Sequence, residues 1–181
     1  MTTFSKFSHC HFCGSPYPEG AGFPKTCKTC DNTHFKNPIC VAVGLVPCED
    51  GLLGIVRGIE PQKGRTALPG GFVDDMETLE IACSRELLEE TGVDLPPGVW
   101  RYESCYITPQ GNLLTFFKAD IAPIPVPPFP FTPPEGVPME TLGFEVIRPG
   151  CQLAFPSHEA AAEKLLATMA GQAPRKLHAP R

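Results

Sequence analysis

The chain predicts an α/β fold behind a small module at its N-terminus, and three observations carry this. Short strand-like runs alternate with two helix-like segments between residues 39 and 170. Two Cys-x-x-Cys pairs fall within the first thirty residues. A Gly-rich turn opens an acidic helix near the middle of the chain. At 181 residues, 42% of them apolar, there is material for one domain of ordinary size plus an appendage.

The appendage comes first. Cys10-His-Phe-Cys13 and Cys27-Lys-Thr-Cys30 are separated by thirteen residues. This is the plan of a four-cysteine zinc ribbon over residues 1–38, in which two turns each present two thiolates to one Zn²⁺. The segment between the pairs is polar and turn-rich, so a structural metal would supply stability that its own packing lacks. His9, His11 and His34 read as surface residues, because four cysteines already saturate zinc. Nine cysteines could also mean disulfides. The tight pairing, and an N-terminus without the basic-then-apolar plan of a signal peptide, favour metal in a reducing compartment, with a cytoplasmic location expected.

Asn37-Pro38 is a natural boundary. Ile39 to Val46 reads as a buried strand, and Gly51 to Arg57 as its hairpin partner across Glu49-Asp50-Gly51. Gly58 to Thr66 is a loop bearing Lys63 and Arg65. With Arg57, Arg65 is a candidate for holding phosphate. Trp100 to Ile107 and Leu113 to Asp120 read as strands joined by the Pro109–Asn112 turn. Residues 122–138 hold eight prolines, which excludes regular strand or helix and predicts an extended polyproline-like loop. It could serve as a lid, as a contact in a homodimer, or only as a linker. Glu140 to Arg148 is a strand. A helix is expected from His158 to Ala170, capped by Ser157 and stopped by Gly171, with Ala161, Leu165, Leu166 and Met169 inward. The tail, 171–181, is expected to be mobile.

Net charge is −5, unevenly spread. Residues 1–38 carry four Lys against two acids, and 171–181 carry three basic residues, so the stretch between is near −10. An acidic body does not attract nucleic acid by itself and would take an anionic nucleotide only with cations or local Arg and Lys. No run of about 18 apolar residues exists, so no transmembrane helix is expected.

The acidic helix is where chemistry is expected. Thr78 can cap its start, and Gly92 suits the left-handed position past its end. Glu86, Glu89 and Glu90 stand at i, i+3 and i+4 and share one face. Leu79, Ala82 and Cys83 lie on the same stripe. Three carboxylates in line with a buried stripe repel one another and are costly to desolvate. A divalent cation removes that conflict, and hard oxygen ligands suit Mg²⁺. A solvated acidic helix end is the plain alternative, but acids at a helix C-terminus oppose its dipole.

Residues 71–93 resemble the Nudix box at every fixed position: Gly71, Glu77, Arg85, Glu86, Leu87, Glu89, Glu90, Gly92 and Val93. The resemblance implies an α/β/α sandwich with a mixed sheet over residues 39–170. It also implies Mg²⁺- or Mn²⁺-dependent hydrolysis of nucleoside diphosphates linked to another moiety. Glu86, Glu89 and Glu90 would then be metal ligands, with the carbonyl of Gly70 a further one, and Arg85 would pair with Glu77. The general base is either Glu86 or an acid outside the box, with Glu135, Glu140 and Glu145 as candidates.

For substrate, Pro109 lies sixteen residues past Val93, resembling the downstream proline of ADP-ribose hydrolases. A ribbon ahead of the domain resembles the NADH pyrophosphatases, but most of their Ser-Gln-Pro-Trp-Pro-Phe-Pro signature is absent from Ser104 to Gln110. The layout also looks like a second ribbon-bearing group acting on FAD and ADP-ribose, through His34–Pro38, Glu140-Thr-Leu and Leu153-Ala-Phe-Pro-Ser157. Thr66 departs from the aromatic residue that many members carry there. ADP-ribose or an FAD-like compound is the expected substrate. RNA 5′ ends, an NAD cap or NADH, and a non-catalytic ligand-binding role are the competing readings.

Overall fold

The computed structural model describes residues 6–172, so the tail from 173 to 181 lies outside the described residues. The chain divides into two compact units, residues 1–38 and 39–181.

In the first unit, β1 (Lys25–Thr26) pairs antiparallel with β2 (Thr33–His34). Each cysteine pair sits on a tight turn: Gly14 N–H donates to Cys10 O at 2.8 Å and Asp31 N–H to Cys27 O at 2.9 Å.

The second unit holds two four-stranded sheets. One is mixed, in the order β7 (Gly70–Phe72), β3 (Ile39–Leu45), β9 (Asn112–Ala119), β8 (Trp100–Ile107). Here β3 runs parallel to β9 and antiparallel to β7. The other sheet is antiparallel: β10 (Thr141–Ile147), β5 (Gly51–Arg57) and β4 (Pro47–Cys48), with β6 (Thr66–Ala67) also on β5. Among the described residues two α-helices complete the unit, α1 (Leu79–Thr91) and α2 (Pro156–Gln172).

Alternation along the central strands explains the layering. Val43, Leu45, Leu114 and Phe116 share one core with Ala161, Ala162, Leu165 and Leu166 of α2. Their neighbours Ala42, Val46, Phe117 and Ala119 share another with Ala82, Cys83 and Leu87 of α1. Side chains on a strand point alternately to its two faces, so each face of the mixed sheet is covered by a different helix.

Three expectations are revised. The strands 39–46 and 51–57 are not hairpin partners: β5 takes only Pro47–Cys48 as its partner there, and β3 belongs to the other sheet. Pro47 has no N–H to continue the β3 ladder, so the chain turns from one sheet into the next. Helix α2 begins at Pro156, at the first position where proline is tolerated, which puts Ser157 inside the first turn rather than at the cap. It also runs through Gly171 to Gln172 instead of stopping there.

The proline-rich stretch contains no strand or helix, as its composition requires. It lies along the body of this unit. Ile124 bridges Cys48, Phe131 packs over Gly92, and the rings of Phe129 and Phe131 pack against Phe144, the first edge to face.

Candidate active site and metal centre

Helix α1 is set by local chemistry at both ends. Thr78 Oγ1 accepts from Ile81 N–H at 3.3 Å, and Gly92, at φ 72°, turns its N–H back to Leu88 O. Its orientation is fixed by two ties. Trp100 Nε1 donates to Ser84 Oγ at 2.8 Å, and Thr141 Oγ1 donates to the backbone carbonyl of Glu90 at 2.8 Å.

Arg85 organises the acidic face. Its Nε and Nη2 each donate to one oxygen of Glu77 at 2.9 Å, and Nη2 also donates to Phe72 O at 2.8 Å. Nη1 reaches Glu86 at 2.8 Å and Glu89 at 3.2 Å. The Glu77 carboxyl is held below its usual range chiefly by that guanidinium. Burial pushes Glu86 up despite Arg85. Glu90 is pushed well above the carboxylate range by burial, offset in part by Gly70 N–H, which donates to it at 2.7 Å. Gly71 allows the close approach of turn and helix: a Cβ there would overlap the Glu86 carboxylate.

Glu86, Glu89, Glu90, Arg85, Gly70 and Arg57 all line one cavity of about 960 Å³. The three carboxylates do not gather their oxygens at one point as the four cysteine sulfurs do among the described residues; Arg85 holds two and Gly70 N–H the third. Each keeps one oxygen without a protein donor among the described residues: Glu86 Oε2, Glu89 Oε1 and Glu90 Oε1. A set of hard, free carboxylate oxygens around one cavity fits Mg²⁺ or Mn²⁺.

Two other candidates fall off the cavity wall. Arg65 Nη2 is spent on Leu153 O at 3.1 Å. Pro109 is not on the wall, although Thr108 and Gln110 on either side are. Arg57 stays: Nε donates to Pro61 O at 2.8 Å, its guanidinium lies 5.1 Å from the Phe155 ring centre, and its terminal nitrogens have no partner among the described residues. Of the three candidate acids outside the box, Glu140 lines the cavity, delivered there with Val137 and Pro138 by the proline-rich stretch; Glu60 lines it as well. Glu145 accepts instead from Thr66 Oγ1, and Glu135 is exposed. His158, at the start of α2, also lines the cavity, and sequence reasoning missed it. Its link to the site is a hydrogen bond from Leu68 N–H, ninety residues away, which no local pattern announces.

In the first unit, the sulfurs of Cys10, Cys13, Cys27 and Cys30 all lie within 4.8 Å of one another. Cys10 and Cys30 stand 3.8 Å apart and Cys13 and Cys27 3.6 Å, whereas ligands 2.3 Å from a tetrahedral Zn²⁺ would stand about 3.8 Å apart. All four are free thiols, so a disulfide is not what gathers them. Although burial works against it, amide donors from Cys13 and Phe12 lower the Cys10 thiol to about 6, as a metal thiolate requires. The donor set fits Zn²⁺.

The family model of the NUDIX domain matches residues 38–140. This chain belongs to the Nudix family. It is 42% identical over 59 residues to an ADP-ribose pyrophosphatase of Methanocaldococcus jannaschii, covering 33% of this chain and 35% of that protein. It is 28% identical over 112 residues to an NAD-capped RNA hydrolase NudC of Salmonella typhi, covering 61% of this chain and 43% of that one. These matches span less than half the length of either relative. A crystal structure of a NUDIX hydrolase from Nitrosomonas europaea superposes with a TM-score of 0.64 over 91% of this chain and 93% of that one, at 23% identity. This last likeness concerns the fold. No helix among the described residues is long and apolar enough to cross a membrane.

Proposed function

We propose that this Nudix chain hydrolyses the pyrophosphate bond of a nucleoside diphosphate linked to another moiety, with ADP-ribose or an FAD-like compound as substrate. One observation carries the reading. Glu86, Glu89 and Glu90, each with a carboxylate oxygen free of protein donors among the described residues, line a cavity large enough for a dinucleotide-like ligand, whose wall also carries Arg57. The similarity to an ADP-ribose pyrophosphatase supports the substrate class.

In this reading Glu86, Glu89, Glu90 and the Gly70 carbonyl hold Mg²⁺ or Mn²⁺, whose chemistry when bound is to neutralise the diphosphate and lower the pKa of a water. The chain's own residues do the rest. Arg85 and Glu77 hold the helix face against the turn. Arg57 offers its terminal N–H groups to an anionic oxygen. Glu140 or Glu86 accepts the proton of the attacking water, while the water oxygen adds to phosphorus and the bridging P–O bond breaks. With ADP-ribose the products are AMP and ribose 5-phosphate. The four cysteines hold a structural Zn²⁺, and residues 1–38 are its ribbon.

A second reading is an RNA 5′-end hydrolase, favoured by the similarity to NudC. The test is product release from ADP-ribose, FAD, NADH, diadenosine polyphosphates, nucleoside triphosphates and an NAD-capped RNA, with Mg²⁺ and with Mn²⁺. ADP-ribose or FAD turning over fastest is the expected result. Salt-sensitive preference for the capped RNA would replace it.

A further inference from the structure

The buried ring of His158 is a polar group that the proposed hydrolysis does not use. Leu68 N–H donates to its Nδ1 at 3.2 Å. A nitrogen that accepts carries no proton, so the neutral ring bears its hydrogen on Nε2. The residue is 6% exposed, its ring wedged between Phe116 and Phe155, whose ring centres lie 5.5 and 5.1 Å away. Burial, and then the charge of Arg57, push its pKa down to about 3, so the ring remains a neutral donor at physiological pH.

Among the described residues nothing accepts from Nε2, nor is it among the polar atoms sealed away from solvent. Because the ring lines the cavity, the open N–H belongs to the cavity wall. An N–H open to the cavity and without a protein acceptor is free to donate to a ligand atom placed there.

The surroundings select the ligand. Val43, Leu114 and Phe155 line the same cavity, and Arg57 lies over Phe155. A phosphate would be drawn to the open terminal nitrogens of Arg57, whereas against Val43, Leu114 and the Phe155 ring it would be stripped of water with only a neutral donor to meet it. A flat neutral heterocycle with a ring nitrogen or carbonyl would instead bury its faces and accept one hydrogen bond. We infer that this part of the cavity is a nucleobase pocket in which His158 Nε2–H donates to an acceptor on the base, beside the Arg57–Phe155 pair. This deepens the proposed hydrolase reading and rests on it for the class of ligand. It makes His158 a residue for specificity, not for bond cleavage.

The test is equilibrium binding of AMP and of ribose 5-phosphate by calorimetry, in chelator and without turnover. Wild type is expected to bind AMP at least tenfold more tightly than ribose 5-phosphate. His158→Phe, which keeps the flat ring and loses the donor, should reduce that ratio to below threefold. His158→Gln, which can accept from Leu68 N–H and still donate, should restore most of it. A ratio unchanged in His158→Phe, or absent in wild type, overturns the inference. Should His158→Phe not fold, the imidazole ¹⁵N spectrum of wild type serves: AMP should shift His158 Nε2 and leave Nδ1 in place, and no shift at saturating AMP overturns the inference. Hydrolysis is scored separately. Wild type that discriminates AMP but cleaves no pyrophosphate would remove the hydrolase reading and keep the pocket.

Discussion

Arg85 meets Glu77 through two parallel hydrogen bonds of 2.9 Å, which join the turn before α1 to the middle of the helix. The Glu77 side chain is only 9% exposed, and Arg85 is its ion-pair partner. Removing one member of such a pair leaves the other buried and uncompensated. Arg85→Ala is therefore expected to cost about 3 kcal/mol of stability, measured by urea unfolding. Arg85→Lys should recover only part of this, because an ammonium lacks the planar fork. A stability within 0.5 kcal/mol of wild type for Arg85→Ala, a loss of roughly the size of an ordinary surface substitution, would show that the pair does not brace the helix.

Glu90 separates the demands of folding from those of chemistry. Its carboxyl is pushed well above the usual range by burial, so the metal-free fold carries a charge it would rather not hold. Glu90→Gln keeps an acceptor for Gly70 N–H and removes the charge. In chelator its Tm is expected to equal or exceed that of wild type. With Mg²⁺ and ADP-ribose its kcat should fall at least a hundredfold, and the rise in Tm that Mg²⁺ gives wild type should shrink. Near-normal kcat in both Glu89→Gln and Glu90→Gln would remove these residues from the metal site.

How much of this was legible in the sequence follows from how local each signal is. The ends of α1 were readable from Thr78 and Gly92, because caps are chemistry between residues at most four apart. The acidic face was readable from the i, i+3, i+4 spacing. Strand partners were not: Ile39–Leu45 and Gly51–Arg57 are apolar runs of similar length, and such runs carry no label for the sheet they join. Nor was His158, which stands in a helix start like any polar residue until Leu68 is brought to it. The eight prolines of 122–138 excluded regular structure but not the path that carries Glu140 to the cavity.

The four cysteines make a metal-removal prediction. Four thiolates within 4.8 Å of one another repel, and a bound cation removes that repulsion. Chelation or Cys13→Ser should release about one zinc per chain, measured with a colorimetric zinc reporter. Amide protection should be lost over the described part of residues 1–38 and kept in β3, β5 and β9. Release of no zinc from protein purified under reducing conditions, or retained protection in the ribbon without metal, would contradict a structural zinc.

The last prediction is acid sensitivity from His158. Its folded pKa is about 3, against about 6.5 in the unfolded chain. Below pH 6.5 the unfolded state takes up a proton that the folded state refuses, so this residue's contribution is complete above 6.5 and is lost as pH falls toward 3. The slope is about 1.4 kcal/mol per pH unit across that window. Glu86 and Glu90 act in the opposite sense, since their raised pKa values let the folded state take protons more readily as pH falls. The comparison that isolates the ring is therefore a difference: urea unfolding of wild type and of His158→Gln at pH 7, 6, 5 and 4. Wild type should lose stability relative to His158→Gln as the pH drops, because only wild type has the histidine to protonate on unfolding. A gap that stays constant from pH 7 to 4 would mean that the ring titrates alike in both states and is not held neutral in the fold.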